Sequence, residues 1–281
     1  MQAQLTGARE ESSKSRQTSA PTRKRMIAIR SIAFNILFYA NMAILAILGL
    51  PTLLMKRAAV QELARLWARN SLWLLDKVCG TKVEFRGHEN LPKGACIIAA
   101  KHQSALETFA LTTQMDDFTF VLKRELLKIP MFGWYLKGAE QIAIDRARRG
   151  QALADLTRQV TQAIAEGRQV FIFPEGTRTA AGASPEYKSG VAHLCAATGA
   201  SCVPVALNSG LFWPRRGMLR RPGRVIIEFL PPIPADPDKQ RFMRLLESRI
   251  ETATARLISA ALSADPTLKA ALARQPDPAA G

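Results

Sequence analysis

Short apolar runs alternate with helix-like stretches from Thr81 onward, and each run has the length of one buried strand. This alternation predicts an α/β fold with a mainly parallel sheet flanked by helices, because parallel strands need crossover connections between them. The predicted strands are residues 83–86, 96–100, 118–122, 141–144, 170–173, 202–207 and 225–230. One helix is predicted to begin with residues 105–111. A second covers 147–166 and ends at Gly167, and a third covers roughly 239–262.

A different pattern precedes the α/β region, where residues 31–55 carry no charge. About 25 helical residues extend roughly 37 Å, which exceeds a hydrocarbon core of about 30 Å. We therefore predict a retained membrane segment, spanning or re-entrant, with a candidate bend at Gly49-Leu50-Pro51. A cleaved signal peptide is the alternative, but the run starts late and no clear small-x-small cleavage site follows it. Basic residues flank both ends, so charge does not define the orientation.

Residues 58–78 place apolar side chains near helical spacing with basic residues among them. This pattern predicts an amphipathic helix at the membrane interface, with a core helix of the soluble domain as the alternative. The ends of the chain are polar or rich in Pro and Ala, which is typical of disorder. The predicted organisation is a disordered basic N-terminus (1–25), a membrane anchor with an amphipathic helix (26–79), an α/β domain (80–262) and a disordered tail (263–281).

Composition narrows the choice of partners. The chain has 281 residues, of which 48% are hydrophobic, and 39 basic against 23 acidic residues give a formal charge of +16. Such a balance indicates an anionic partner, which is nucleic acid, an anionic membrane surface or a phosphorylated substrate. No P-loop or dinucleotide-binding fingerprint is present. The four cysteines form no C-x-x-C pair, so we expect buried thiols and no metal site.

The candidate chemistry begins at the end of the strand predicted at 96–100. His102 follows this strand and Glu107 lies five residues later, at the start of a helix. Ligands of open α/β sheets bind outside such carboxyl ends, and an imidazole beside a carboxylate is typical of an oriented general base. A satisfied surface pair is the alternative. A second apolar strand, 170–173, runs directly into the polar turn Pro174-Glu175-Gly176-Thr177-Arg178.

Together these segments resemble the lysophosphatidic acid acyltransferase family, whose signature is H-x-x-x-x-D followed about seventy residues later by F-P-E-G-T-R. Glu107 stands where the family usually has Asp, which changes the reach of the carboxylate by one methylene. The likeness extends over four ordered blocks between residues 80 and 234. The other two blocks run from Lys123-Arg124-Glu125-Leu126 to Ile144-Asp145-Arg146 and along Val203-Pro204-Val205-Ala206-Leu207-Asn208.

The resemblance implies a glycerolipid acyltransferase-like fold and a membrane-bound O-acyltransferase of phospholipid biosynthesis. It implies transfer of an acyl group from acyl-CoA or acyl carrier protein to the 2-hydroxyl of 1-acyl-glycerol 3-phosphate, giving phosphatidic acid. His102 would act as general base and Glu107 would orient it. We expect direct transfer, because Ser104 lacks the G-x-S-x-G context of an acylated nucleophile. The thioester is a substrate, and no tightly bound cofactor is expected.

Substrate binding is assigned by the same resemblance, with the phosphate placed on Arg178 because guanidinium groups bind phosphate bidentately. Glu175 would organise the loop or contact substrate, and a structural pair with Arg178 is its alternative. For the basic residues the alternative is solvated surface charge. The remaining predicted substrate-binding residues are Gly176, Thr177, Lys123, Arg124, Arg146 and Lys188.

Other functions remain open at this point. A related enzyme would acylate another lysolipid, such as a lyso-ornithine lipid, and a non-enzymatic protein would bind membranes or nucleic acid through its charge. No RNA- or DNA-binding module is visible, so nucleic acid is not expected as a partner. The expected partners are lysophosphatidic acid, an acyl thioester donor, membrane lipid and acyl carrier protein. The expected location is the inner (cytoplasmic) membrane, with the catalytic domain on the cytoplasmic side.

Overall fold

The structure, a computed structural model, describes residues 3–145 and 149–272. Each predicted strand is confirmed, and its observed bounds lie within two residues of the predicted ones. The strands are β1 (Thr81–Arg86), β2 (Cys96–Ala100), β3 (Phe118–Lys123), β4 (Ile142–Ile144), β5 (Gln169–Ile172), β6 (Cys202–Leu207) and β7 (Gly223–Phe229). They form one sheet in the order β1-β7-β6-β2-β5-β3-β4.

Strand pairing is parallel throughout this sheet except between β6 and β7, which confirms the mainly parallel fold. β2 lies between β6 and β5, and its residues are all buried. The carboxyl ends of β2, β3, β5 and β6 therefore meet at one edge of the sheet. Residues that directly follow these strands are brought together there, as expected for open α/β sheets.

Helices cover both faces of the sheet. They are α1 (Ala3–Leu48), α2 (Arg57–Leu74), α3 (Leu106–Ala110), α4 (Phe132–Gly138), α5 (Arg149–Ala165), α6 (Gly190–Thr198), α7 (Ser209–Phe212), α8 (Lys239–Ala264) and α9 (Leu268–Leu272). The predicted helix 147–166 is confirmed from Arg149 to Ala165, while residues 147 and 148 lie outside the described residues. α8 starts where the carboxylate of Asp238 accepts hydrogen bonds from the backbone N–H groups of Gln240 and Arg241, each at 3.0 Å.

The core forms two layers because successive side chains of a strand point to opposite faces. In β2, Ile98 and Ala100 face a cluster built with α1, α2 and α3. Ile97 and Ala99 face a second cluster built with α5, α6 and α8. The continuous apolar run of β2 is therefore explained by burial on both faces.

Helices cover parts of the two chain ends that were predicted as disordered. The backbone of residues 3–21 belongs to α1, in a segment containing many Ala, Glu, Gln, Lys and Arg residues that favour helix. At the other end α8 continues to Ala264 and is followed by α9, because Leu268 is buried against the core. Residues 1–2 and 273–281, also predicted as disordered, lie outside the described residues.

The apolar N-terminal run is interrupted at the predicted bend. α1 ends at Leu48, a 3-10 turn covers Leu50–Leu54, and α2 returns antiparallel along α1. A Cβ on Gly49 would lie 2.1 Å from the Leu63 side chain, so this close approach requires glycine. Asn41 Nδ2 donates to Ser71 Oγ at 3.2 Å farther along the pair. We call the unit formed by α1, this turn and α2 the N-terminal hairpin.

The inner face of the N-terminal hairpin is part of the domain core. Phe38 on α1 and Trp67 on α2 have ring centroids 5.4 Å apart, and Trp67 lies 5.2 Å from Phe109 on α3. α2 therefore packs as a helix of the α/β domain, although Leu66 and Trp73 on its outer side are exposed. The alternative interpretation of residues 58–78 as a core helix describes this packing.

The outer face of the N-terminal hairpin is exposed and apolar. Within the described residues one helical stretch, Thr22–Leu48, is long and apolar enough to cross a membrane, and 22% of the residues in its apolar 18-residue window are buried. The turn adds Leu54, whose exposure is 93%. The other exposed apolar side chains include Ile29, Ile32, Ile36, Ile44, Ile47, Leu48 and Met55.

The N-terminal hairpin is attached to the α/β domain on both sides of its bend. On the α1 side, Arg220 donates to Asn35 Oδ1 at 3.0 Å and stacks 4.0 Å above the ring of Trp213. Burial lowers the pKa of this guanidinium to about 10. At the start of α2, Arg57 pairs with Asp117 at 2.8 Å and with Glu140 at 3.0 Å. The apolar run is therefore held against one domain before and after its bend.

Candidate active site

The predicted pair of His102 and Glu107 is formed. His102 Nδ1 lies 3.0 Å from Glu107 Oε1, at the point where β2 ends and the chain turns into α3. A carboxylate only accepts hydrogen bonds, so this contact places the proton on Nδ1 and leaves the Nε2 lone pair free. The His102 side chain is 14% exposed, whereas that of Glu107 is fully buried. The buried carboxylate of Glu107 therefore orients the imidazole, and one edge of the ring reaches solvent.

Four hydrogen bonds fix the Glu107 carboxylate. In addition to the imidazole, Oε1 accepts from the backbone N–H groups of Gln103 at 2.6 Å and Ser104 at 2.5 Å. Oε2 accepts from Ser209 Oγ at 2.8 Å. The Glu107 side chain is one methylene longer than that of Asp. It reaches back from the first turn of α3 over the preceding loop to meet these donors. Glu in place of Asp is thus compatible with an oriented base.

The turn that follows β5 packs against His102 from the other side. The ring of Phe173 stacks on the imidazole with a centroid distance of 4.0 Å and an interplanar angle of 18°. The backbone N–H of Thr179 donates to the carbonyl of His102 at 2.7 Å. The two predicted motif segments are therefore joined directly, as expected from the adjacency of β2 and β5.

Glu175 is buried beneath this junction. Its Oε1 accepts from the backbone N–H of His102 at 2.8 Å and lies 3.5 Å from Lys101 Nζ. Burial raises the pKa of Glu175, while the Lys101 ammonium acts in the opposite direction. The carboxylate thus has internal partners that differ from the predicted alternative of a structural pair with Arg178. This arrangement corresponds to the role of organising the loop.

Two predicted cationic residues flank the turn at Gly176. The φ of Gly176 is 67°, and a Cβ there would lie 3.2 Å from Lys188 Nζ, so the Lys188 amino group sits directly against the turn. Arg178 is half-buried and Thr177 is exposed on the same turn. The structure brings these residues together on the turn that contacts His102 through Phe173 and Thr179.

The remaining basic residues follow β3. Lys123 and Arg124 are exposed, and Arg124 Nη1 lies 3.5 Å from Asp145 Oδ2. β3 is the second strand from β2, so these positions are about 10 Å from the His102 strand. Arg124 and Asp145 line a cavity of about 250 Å³ beside α5. Arg146 lies outside the described residues.

Several residues around the site were not predicted from the sequence. Ser209 had a usable signal, since it follows β6 at the same sheet edge, and Phe173 is the last apolar residue before the polar turn. Lys101 directly precedes His102, but its burial is a tertiary property. Glu251 and Tyr187, described below, had no local signal. Within the described residues no group of three or more His, Cys, Asp or Glu side chains is arranged to hold a metal ion.

Comparisons with known proteins agree with this geometry. The Acyltransferase family model matches residues 82–208, a range that contains β1 to β6 and the motif blocks. A 1-acyl-sn-glycerol-3-phosphate acyltransferase of Pseudomonas aeruginosa is 36% identical over 226 residues, covering 80% of this chain and 88% of that protein. A Saccharomyces cerevisiae protein of the same description is 31% identical over 179 residues, covering 62% and 59% of the two chains.

The fold is also found in a solved structure. The crystal structure of the 1-acyl-sn-glycerophosphate (LPA) acyltransferase from Thermotoga maritima superimposes with a TM-score of 0.70 at 22% identity, covering 82% of this chain and 97% of that one. The resemblance predicted from the motif blocks is therefore confirmed at the level of sequence and of fold. The chain belongs to the 1-acyl-sn-glycerol-3-phosphate acyltransferase family.

Proposed function

We propose that this protein transfers an acyl group from acyl-CoA or acyl carrier protein to the 2-hydroxyl of 1-acyl-glycerol 3-phosphate, giving phosphatidic acid. The observation that carries the proposal is the oriented pair of His102 and Glu107 beside a cationic turn. Family membership supports the same reaction, since relatives from bacteria, yeast and animals bear this description.

The proposed chemistry uses the free lone pair of His102 Nε2. The acceptor hydroxyl gives its proton to Nε2 as its oxygen attacks the thioester carbonyl, and the C–S bond then breaks. The imidazolium returns this proton to the departing thiolate. The Glu107 carboxylate stabilises the imidazolium through Nδ1–H. Phe173 limits rotation of the ring because it covers one face.

The acceptor phosphate would be bound by Arg178 and Lys188, which flank the turn at Gly176. Arg178 lies on the turn that packs against His102, and the amino group of Lys188 lies against the same turn at Gly176. A phosphate held there would keep the glycerol hydroxyls within reach of the imidazole. Lys123, Arg124 and Arg146 would extend this positive region along the sheet edge. The proposal attributes no contact with substrate to Glu175, because its carboxylate is buried and bonded internally.

Membrane association is supported by the exposed apolar face of the N-terminal hairpin. Asn35 before the bend and Arg57 after it contact the same domain, so a full crossing would leave that domain on both sides of the bilayer. We therefore propose that the hairpin enters one leaflet and returns, with burial of Leu54 and its neighbours in lipid. The catalytic domain would lie on the cytoplasmic side of the inner membrane, where acyl thioester donors are found.

The test is acyl transfer by the wild type, His102→Ala and the control His88→Ala, which changes an exposed histidine outside the site. Membranes containing each protein receive 1-acyl-glycerol 3-phosphate, glycerol 3-phosphate or a phosphate-free lysolipid, each with acyl-CoA and with acyl carrier protein donors. The proposal expects transfer to the first acceptor alone and loss of transfer only in His102→Ala. Transfer confined to the phosphate-free lysolipid would overturn the substrate, and full activity of His102→Ala would overturn the mechanism.

A further inference from the structure

A buried charge cluster lies behind His102 and the turn that follows β5. The Lys101 side chain is 1% exposed, and its Nζ lies 2.8 Å from Glu251 Oε1 and 3.5 Å from Glu175 Oε1. Tyr187 donates its hydroxyl hydrogen to the same Glu251 oxygen at 2.7 Å. The cluster joins Lys101, which directly follows β2, to Glu175 on the turn after β5 and to Glu251 on α8. Glu251 is 150 residues from Lys101 in the chain.

Stability alone is a weak explanation for such a cluster. Taking an ammonium and a carboxylate out of water carries a large penalty, and apolar replacements of buried ion pairs are often neutral or stabilising. Lys101 also brings one positive charge to two carboxylates, so the cluster is not balanced as an isolated pair. Its geometry is better explained by the group that it holds in place.

That group is the Glu175 carboxylate. One oxygen of Glu175, Oε1, faces the Lys101 ammonium and also accepts from the backbone N–H of His102. The carbonyl of His102 is fixed by the N–H of Thr179. Both polar backbone groups of His102 are therefore held by the turn that follows β5, and one of them depends on a carboxylate that faces the Lys101 ammonium.

We propose that Lys101 and Glu251 are positioning residues for the acyl transfer. Glu251 orients the Lys101 ammonium, Lys101 holds the Glu175 carboxylate, and Glu175 sets the backbone of His102 and thereby the direction of Nε2. Neither positioning residue contacts substrate. This inference rests on the proposed role of His102, and it makes the C-terminal helix α8 a part of the catalytic architecture.

The principal test uses Lys101→Met, Glu175→Gln and the double variant. Lys101→Met leaves Glu175 buried without its cation, so we expect kcat to fall about 10- to 100-fold, as for small misplacements of a catalytic group, with KM for 1-acyl-glycerol 3-phosphate changed less than about threefold. Glu175→Gln keeps an oxygen that accepts from His102 and removes the charge that needs Lys101. The double variant should therefore recover most of the kcat lost in Lys101→Met.

The matched control is Arg168→Met, which removes another buried cation. Arg168 directly precedes β5, so it lies at the opposite edge of the sheet, where it pairs with Asp117 at 3.3 Å. This variant should lower the thermal unfolding temperature and leave kcat per folded enzyme unchanged. If Lys101→Met does not fold, Glu251→Ala replaces it, because Glu251 is partly exposed. Its kcat should fall with KM changed less than about threefold, and an unchanged kcat in Glu251→Ala would overturn the positioning role.

The outcomes separate this inference from the proposed function. No recovery in the double variant, or an equal loss in Glu175→Gln alone, would overturn positioning and indicate a direct role of the Glu175 charge. An unchanged kcat in Lys101→Met would also overturn it. Failure of the proposed function would instead be seen in His102→Ala, whose activity would match that of the wild type.

Discussion

Glu107→Gln separates the charge of the carboxylate from its geometry. The carboxamide has the same size, but only its carbonyl oxygen accepts hydrogen bonds. Oε1 of Glu107 receives the backbone N–H groups of Gln103 and Ser104 in addition to the imidazole of His102. A flipped amide would point its NH2 group at these two donors. The backbone therefore keeps the oxygen toward Nδ1, and Ser209 can accept from the NH2 group at the Oε2 position.

The expected loss follows from this fixed orientation. Hydrogen bonds to charged groups contribute about 1.5–3 kcal/mol and neutral ones about 0.5–1.5 kcal/mol, so neutralising Glu107 removes roughly 1–2 kcal/mol from the stabilisation of the imidazolium. At about 1.4 kcal/mol per decade, kcat should fall roughly 5- to 30-fold. A wrong histidine tautomer, by comparison, lowers the rate of a serine protease about 10⁴-fold.

The assay is the initial rate of transfer to 1-acyl-glycerol 3-phosphate at saturating thioester, with thermal unfolding measured on the same preparation. Glu62→Gln, a surface change far from the site, serves as the control. A loss of a thousandfold or more at unchanged unfolding temperature would refute the argument that the backbone donors prevent the flip. Unchanged kcat would refute a role for the Glu107 charge.

Three further predictions follow from named contacts. Glu107→Asp withdraws the carboxylate by about 1.5 Å, so kcat should fall about 100-fold, and full activity would indicate an adaptable turn. Ser209→Ala removes a bond to a charged group worth about 1.5–3 kcal/mol, which should lower the unfolding temperature by several degrees while kcat falls less than tenfold; unchanged values of both would contradict it. Ile36→Glu and Leu54→Glu should each weaken vesicle binding about tenfold or more, since each removes roughly 1.5–3 kcal/mol of apolar burial. Leu245→Glu, on the exposed side of α8, is the control, and equal binding of all three would contradict insertion of the hairpin.

Most of the sheet could be predicted because its signal is local. The β2 run Cys96–Ala100 is apolar along its whole length, as expected for a strand buried on both faces, and its bounds agree with the prediction. The position of His102 was readable for the same reason, since it follows this strand. The spacing to Glu107 predicted a contact, but the two backbone donors that hold the Glu107 carboxylate depend on the shape of the loop.

Other features depend on residues far apart in the chain. The contact of Lys101 with Glu251 could not be predicted, because α8 carries no motif and its packing position is set by the core. Polar composition suggested disorder for residues 3–21, yet the same residue types also favour helix. The packing of Phe38 against Trp67 likewise joins the predicted anchor to the domain in a way that hydropathy does not reveal.

The N-terminal hairpin and the α/β domain share one hydrophobic core, so the hairpin cannot be removed without exposing that core. Phe34 and Phe38 belong to the main hydrophobic cluster and Trp67 packs against it, and the same cluster contains Phe109 on the helix that carries Glu107. Each large apolar side chain contributes about 1.5–3 kcal/mol on burial, so a fragment without the hairpin would lose an amount comparable to the 5–15 kcal/mol that stabilises a typical domain. A soluble catalytic fragment therefore cannot be obtained by trimming the chain, and the lipid affinity of the enzyme has to be varied through charges on the outward face.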